Sequence, residues 1–173
     1  MKKIFIFLTI IICSNIFAQE IEISDQIEIE TQKFKDSILK IDEFSRKLDL
    51  EFAIDKFKID KKMNLELEDD YTTAGMLQAT YNAHQSYDDL LNKYYKKLLN
   101  KLEPGDKETL KEAQRNWIKF KNSDKQLNNL IAKDEYSGGG TIQQIFVASR
   151  NLDITKSRLD QIYEYLSSRF MIE

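Results

Sequence analysis

Helix-breaking residues are so scarce in this chain that they mark where its helices must end. The 173 residues include one proline and five glycines. Pro104 is followed directly by Gly105, and three of the other glycines form one run at residues 138–140. Hydrophobic residues make up 42% of the chain, which is enough for one domain with a real core. We therefore predict an all-α protein, an antiparallel bundle of three to four long helices.

Residues 1–18 are typical of a secretory signal peptide. Lys2 and Lys3 precede an apolar run at residues 4–12, and Ala18 supplies the small residue before the cleavage point. The apolar run is shorter than an ordinary membrane span. Lipoprotein processing at Cys13 and an uncleaved N-terminal anchor are the two alternatives. We predict an exported protein, periplasmic or secreted, that is not an integral membrane protein once the signal peptide is removed.

The thiol, imidazole and charge content exclude several kinds of function. The chain has one cysteine, Cys13, and one histidine, His84, so it can build neither a cysteine-rich zinc site nor a disulfide framework. Cleavage after residue 18 would remove Cys13 and two lysines, and the net charge would change from −3 to −5. An acidic chain lacks the basic face that nucleic acid requires. We expect no metal, no cofactor and no nucleic-acid partner.

The N-terminal part is predicted to be an extension of the main domain. Residues 19–30 alternate Ile with polar side chains, and we interpret them as an extended lead-in. A helix is predicted over about 26–57, followed by a charged linker at 58–72. The apolar face of that helix consists of Phe34, Ile38, Ile41, Leu48 and Phe52. The predicted segments are thus a signal peptide at 1–18, a helical extension at 19–58 and a helical domain at 59–168.

Three helices with apolar seams are predicted in the main domain. The first covers residues 74–102, with Thr73 as its predicted N-cap, and the second covers about 106–134, with Asp106 as the residue that can cap it. Thr141, followed three residues later by Gln144, gives a capping-box pattern for the third. The seam of the first helix consists of Met76, Thr80, Ala83, Tyr87, Leu90, Tyr94 and Leu98. That of the second consists of Leu110, Ala113, Trp117, Phe120, Leu127 and Ile131. That of the third consists of Ile145, Ala148, Leu152, Thr155, Leu159, Ile162 and Leu166.

No set of side chains has the composition and spacing of a catalytic site, so we predict that the protein is not an enzyme. A glycosidase needs two carboxylates held across a cleft, and a slim bundle offers no evident cleft. Asp124 falls on an apolar seam, where we expect it to pair with Lys or Arg from a neighbouring helix, a functional role being the alternative. The glycine run follows a helix and lacks the Lys-Ser/Thr of a phosphate loop, so we interpret it as a helix break.

Tyr136 and Ser137 stand beside the glycine run, at the tip between two predicted helices. A tyrosine on a glycine-rich loop is suited to insertion into a partner's groove, and simple packing is the alternative. The sequence therefore makes the segment from Lys133 to Thr141 a candidate binding loop.

Five short motifs occur in an order that resembles the lysozyme-inhibitor LprI-like N-terminal domain family. They are T-A-x-M at residues 73–76, D-x-x-L-N-x-x-Y at 88–95, A-Q-R-x-W at 113–117, G-G-G-T at 138–141 and T-x-x-R at 155–158. The resemblance covers residues 59–168 and implies a small exported bacterial helical protein. It also implies four cysteines at positions that hold Glu66, Ala79, Lys125 and Arg150 here, so the disulfides of the family would be absent.

The motif residues could either hold the helices together or contact a ligand, and we expect the first. Trp117 is expected to be a core anchor, and Arg115 is expected to pair with Asp88 or another carboxylate. Thr155 and Arg158 are expected to tie the last helix to its neighbours, in a polar clasp that fixes helix register. Contact with a ligand is the alternative for this group.

The resemblance implies a protein partner, and the family name implies that this partner is lysozyme. A net charge of −5 would steer the protein towards a cationic enzyme. An envelope interaction module without inhibitory activity is the alternative function. The candidate binding residues are Tyr136, Ser137, Arg115, Trp117 and Asp124.

Overall fold

The computed structural model describes residues 21–40 and 47–168, and all regular secondary structure in these residues is helical. The prediction of an all-α protein is confirmed. The predicted signal peptide at 1–18 lies outside the described residues, as does Ile41. The helices are α1 (21–38), α2 (Lys47–Asp69), α3 (Thr73–Lys101), α4 (Lys107–Ile131), α5 (Asp134–Ser137) and α6 (Ile142–Ser167).

The chain divides into two compact units, with the boundary between Leu65 and Glu66, inside α2. In the first unit, Phe34 of α1 stacks on Phe57 of α2, with ring centroids 4.2 Å apart and planes 5° from parallel. Lys58 and Glu28 form an exposed ion pair at 3.4 Å. Ring stacking and burial of apolar side chains therefore hold α1 against the first part of α2.

Three predictions for the N-terminal part are wrong. Residues 21–30 are helical, because the alternating isoleucines also supply Ile23 and Ile27, which are four residues apart on one face of α1. The helix predicted over 26–57 is interrupted, since α1 ends at residue 38 and a turn follows at 39–40. The predicted linker at 58–72 is helical as far as Asp69, and no Gly or Pro occurs within α2 to end that helix earlier.

The second unit begins with a capped helix. Thr72, one residue before the predicted cap, accepts a hydrogen bond from the backbone N–H of Gly75 at 3.1 Å through its side-chain oxygen. The end of α2 is tied to α3, because the side-chain amide of Asn82 donates to both carboxylate oxygens of Glu66, at 3.2 and 3.1 Å. Glu66 occupies one of the positions where the family resemblance implies a cysteine.

The core of the second unit lies between α3 and α6, which form its most extensive helix–helix contact. Tyr87 and Tyr94 of α3 and Leu159 and Ile162 of α6 are completely buried. The predicted seams of these two helices are confirmed, apart from Met76 and Ile145, which are partly exposed. Burial of these rings and aliphatic chains supplies the main stabilisation of the unit.

The predicted seam of α4 is wrong for most of its length. Leu110 is the buried residue of this helix, whereas Phe120, Leu127 and Ile131 are exposed. Trp117 is only partly buried, so it lies at the rim of the core and is not its anchor. α4 contacts α6 much less extensively than α3 does, and its apolar face is therefore left partly open.

Breaks occur where the sequence places them, but the local capping differs. α3 and α4 are separated by the segment containing Pro104 and Gly105, and the side chain of Asp106 makes no capping hydrogen bond. The predicted capping box at Thr141 does not form, because the side chain of Thr141 makes no capping bond either. The four-residue helix α5 occupies the tip before the glycine run.

Among the described residues, no helix combines the length and the apolar character that crossing a membrane requires.

Candidate functional site

The tip between α4 and α6 is shaped by its three glycines. Gly138 ends α5 in the left-handed region, with φ of 77°, and its N–H donates to the carbonyl of Asp134 at 3.0 Å. Gly139 and Gly140 also have positive φ, at 80° and 93°. A Cβ on Gly139 would lie 2.9 Å from a carboxylate oxygen of Asp134. Glycine at 139 is therefore favoured chiefly by its backbone conformation, and a larger residue would also have to displace the Asp134 side chain.

Ser137 stabilises this tip through hydrogen bonds to the surrounding backbone. Its hydroxyl lies within hydrogen-bonding distance of the carbonyls of Ala132 and Lys133, at 3.0 and 3.1 Å, and accepts from the N–H of Gly139 at 3.1 Å. The backbone carbonyl of Ser137 accepts from the side chain of Gln143 in α6 at 3.4 Å. These bonds make Ser137 a support of the loop, so its neighbours are better placed to contact a partner.

Tyr136 projects from the supported tip, with 64% of its surface exposed. Exposed apolar side chains flank the tip where α4 ends and where α6 begins. They are Leu130 and Ile131 on α4 and Ile142 and Phe146 on α6. We call Tyr136 and these four residues the apolar tip. Tyr136 can be recognised from the sequence by its place beside the glycine run, but the other four residues cannot, because helical spacing assigns Ile131 to a core and does not distinguish Ile142 or Phe146.

A second set of polar contacts surrounds Arg158, which is buried on α6. Its Nε donates to the side-chain oxygen of Gln114 on α4 at 3.0 Å, and its Nη1 donates to Gln161. The guanidinium carbon lies 5.9 Å from the centre of the Trp117 ring. Arg158 thus ties α6 to α4 as expected, although through an amide and an indole. Burial lowers the pKa of the guanidinium from its ordinary value.

Other polar ties fix the register of the three long helices. Lys121 of α4 pairs with Asp88 of α3 at 2.7 Å. Asp88 is therefore paired with Lys121, and the expected pairing with Arg115 is not found; Arg115 is exposed. His84 of α3 lies 3.0 Å from the hydroxyl of Thr155 of α6. The side-chain amide of Asn128 in α4 donates to Asn151 in α6 at 3.2 Å.

These ties also give the directions of the helices. His84 of α3 contacts Thr155 of α6, and further along both helices the ring of Tyr94 meets that of Tyr163 edge to face, at 6.1 Å. The residue numbers therefore rise together along α3 and α6, so these two helices are parallel. Between α4 and α6, Gln114 contacts Arg158, whereas the later residue Asn128 contacts the earlier residue Asn151, so the residue numbers run in opposite directions. α4 is therefore antiparallel to α6, as the bundle prediction requires.

Asp124 does not have the cationic partner that its seam position predicts. It is partly buried, and its carboxylate accepts a long hydrogen bond of 3.5 Å from the side chain of Asn128, one helical turn later. Within the described residues no salt bridge to Asp124 is formed. Because α4 leaves its apolar face partly open, solvent reaches this carboxylate and removes the need for a counter-charge.

His84 provides a pH-dependent contribution to stability. Partial burial is the largest cause that lowers its pKa below the ordinary value of 6.5, and Lys121 adds to the lowering while Asp88 opposes it. The folded state therefore favours the neutral imidazole, and the unfolded chain binds more protons at mildly acidic pH. This stabilisation is complete above about pH 6.5 and is lost as the pH falls through the lowered folded-state pKa.

We expect His84→Gln to remove this pH dependence, because glutamine can still reach Thr155 but does not titrate. His84 is the one histidine of the chain, so unfolding in urea at pH 7.5, 6.5 and 5.5 isolates its effect. As the pH falls from 7.5 to 5.5, the wild type should lose stability relative to the variant, and the loss should be modest because the imidazole is only half-buried. Parallel pH profiles would contradict the assignment.

The described residues contain no group of three or more His, Cys, Asp or Glu side chains placed to hold a metal ion. The site can instead offer shape, apolar area and hydrogen bonds to a binding partner. Of the sequence-predicted residues, Tyr136 and Ser137 lie together at the tip. Trp117 lies beside Arg158, whereas Arg115 and Asp124 belong to neither set.

Comparison with known proteins gives one family. The sequence model of the family described as "Lysozyme inhibitor LprI" matches residues 66–162, which is more than half of the chain. The match spans α3, α4, α5 and most of α6, including the apolar tip and Arg158. No match was found among curated proteins or among solved structures.

Proposed function

Because the chain belongs to the lysozyme inhibitor LprI family, we propose that it is an exported, non-enzymatic protein that binds a lysozyme and lowers its activity. The observation that carries this proposal is the exposed tyrosine of the apolar tip, held forward by a glycine loop whose shape Ser137 supports. A ring on a supported loop can fill a groove at low entropic cost.

Charge favours the same encounter. Asp134 and Glu135 lie directly before Tyr136 and are exposed. The whole chain has a net charge of −3, which becomes −5 after the proposed removal of residues 1–18. A cationic lysozyme would be attracted to this chain, and the acidic residues of α5 would orient the tip towards it.

The direct test is a muramidase assay with the exported, purified protein, whose mass shows whether residues 1–18 have been removed. We expect the rate of cell-wall hydrolysis to fall at least about twofold once the protein concentration exceeds the dissociation constant, because more than half of the enzyme is then bound. Lysozymes of several structural types should be tried at low and high salt. Unchanged rates with all of them would contradict inhibition.

A second candidate function is an envelope interaction module without inhibitory activity. The observation that favours it is the open apolar face of α4, where Phe120 and Leu127, two helical turns apart on one side of the helix, are exposed. Apolar side chains exposed along one helix are typical of a face that another protein covers. Binding to immobilised lysozyme without inhibition, or a stable envelope partner other than lysozyme, would favour this function over the first.

A further inference from the structure

An open groove of about 560 Å³ lies between α4 and α6, away from the apolar tip. Trp117 and Phe120 of α4 and Ile154 of α6 supply apolar walls, and α6 also supplies three carboxylates, those of Asp153, Asp160 and Glu164. The volume lies within the range of small-molecule sites, about 300–1,000 Å³. The groove can therefore hold a ligand with a ring or a short aliphatic body.

Arg158 also lines this groove, and its bonding is incomplete. Only 8% of its surface is exposed, and Nη2 is buried without a hydrogen-bond partner. Its other nitrogens bond to the amides of Gln114 and Gln161, which are neutral. No salt bridge to Arg158 is formed within the described parts of the chain. A buried cation without a counter-charge is costly, and a buried N–H without an acceptor adds to that cost.

We propose that this groove binds a small monocarboxylate, whose two oxygens accept hydrogen bonds from Nη1 and Nη2 of Arg158 and whose apolar body packs on Trp117 and Phe120. The carboxylate takes the place of the Gln161 amide. Gln161 is an exposed side chain that lines the groove, so it can turn outwards and uncover the guanidinium. This site does not depend on the proposed inhibition of lysozyme.

The chemistry of the groove selects a carboxylate over other anions. A guanidinium presents two parallel N–H groups that match the two oxygens of a carboxylate, and such charge-assisted bonds are about twice as strong as a bond to a neutral amide. Asp153, Asp160 and Glu164 line the same groove, and their carboxylates repel a second negative charge on the ligand. A phosphate dianion should therefore bind less well than a carboxylate of similar size.

Trp117 is the one tryptophan of the chain and makes the test direct. Its fluorescence, excited at a wavelength that the ligands scarcely absorb, is followed while the full-length protein is titrated with benzoate, benzamide or phenyl phosphate. We expect a saturable change with benzoate and at least about tenfold weaker binding of the other two. Equal binding of benzoate and benzamide, no binding of benzoate, or tighter binding of phenyl phosphate would overturn the proposal.

A pair of variants tests the role of Arg158 without removing it. Gln161→Glu places a carboxylate one helical turn from Arg158, where it competes with the ligand, so we expect benzoate affinity to fall at least about tenfold. Gln161→Ala uncovers the guanidinium and should bind benzoate at least as tightly as wild type. Gln126→Glu adds the same charge at an exposed position of α4 and should not change the affinity.

Positions 126 and 161 are both exposed, so we expect the three variants to fold, and circular dichroism checks that they do. Unchanged benzoate binding by Gln161→Glu, or equal losses in Gln161→Glu and Gln126→Glu, would overturn the role of Arg158. If the protein binds benzoate yet leaves every lysozyme unaffected, the groove proposal is supported and the inhibitory function is contradicted. If it inhibits a lysozyme but does not bind benzoate, the inhibitory function is supported and the groove proposal is contradicted.

Discussion

Tyr94→Ala is expected to destabilise the protein by about 3–5 kcal/mol, the usual cost of removing a large buried ring. Tyr94 of α3 is completely buried and meets Tyr163 of α6 edge to face at 6.1 Å. The side-chain nitrogens of Lys93 and Lys97 lie 5.5 and 5.1 Å from the centre of its ring. Truncation leaves a cavity in the principal helix–helix contact and removes the ring to which both cations are attracted.

Tyr81→Ala is the matched control, because Tyr81 lies on the same helix with 55% of its surface exposed. It should change the free energy of unfolding by no more than about 0.5 kcal/mol. Urea unfolding followed by circular dichroism measures both variants, and the melting temperature of Tyr94→Ala should fall on the order of 10 °C. Similar stabilities for the two variants would mean that α3 and α6 do not pack through Tyr94.

Tyr136→Ala is expected to weaken binding to lysozyme at least about tenfold, with no loss of stability. A tyrosine that fills a partner's groove is typically a hot spot worth about 2 kcal/mol or more. Tyr136 is exposed in the free protein, and the hydrogen bonds that support the tip come from Ser137 and the backbone. Its removal should therefore affect the complex and leave the fold unchanged. Calorimetric titration of lysozyme and the inhibition constant measure the effect.

Tyr71→Ala provides the comparison, since Tyr71 is 67% exposed and precedes α3, outside the loop. It removes the same ring from a similarly exposed position and should leave the affinity unchanged. Equal affinities of wild type and Tyr136→Ala would exclude the apolar tip as the contact. Equal losses in both tyrosine variants would point to a general effect of surface aromatic residues.

Sequence periodicity predicted α3 and α6 well because each helix buries one continuous face. Thr80, Tyr87 and Tyr94 on α3 match the buried positions that helical spacing assigns. The same spacing failed for α4, where Phe120 and Leu127 have the pattern of a core and are exposed. Periodicity states which residues share a face, and it does not state whether a neighbouring helix covers that face.

In the N-terminal part, the sequence pattern was also insufficient to predict the secondary structure. An alternation of Ile with polar residues indicates a strand, yet Ile23 and Ile27 are also one helical turn apart, and residues 21–38 are helical. Without a partner strand, the backbone satisfies its hydrogen bonds within a helix. The charged stretch that begins at residue 58 continues α2 for the same reason, because no breaker interrupts it before Asp69.

The candidate sites also include features that the sequence predicts and contacts that it does not predict. The sequence placed Tyr136 and Ser137 beside a glycine run and made the loop between α4 and α6 a binding candidate, because glycine at positive φ is a local requirement of the backbone. The pairing of Asp88 with Lys121 depends on which side chains approach across two helices. Local spacing could not select that partner over Arg115.

The sequence by itself determined an all-α chain, the breaks at Pro104–Gly105 and at the glycine run, and the faces that α3 and α6 bury. These follow from backbone propensity and from the 3.6-residue period, which act within one segment. Only the tertiary structure decided that α4 leaves its apolar face open and that Arg158 is buried beside Trp117 with Nη2 unbonded. Burial and unmet hydrogen bonds depend on how closely separate helices approach, and no single helix specifies that distance.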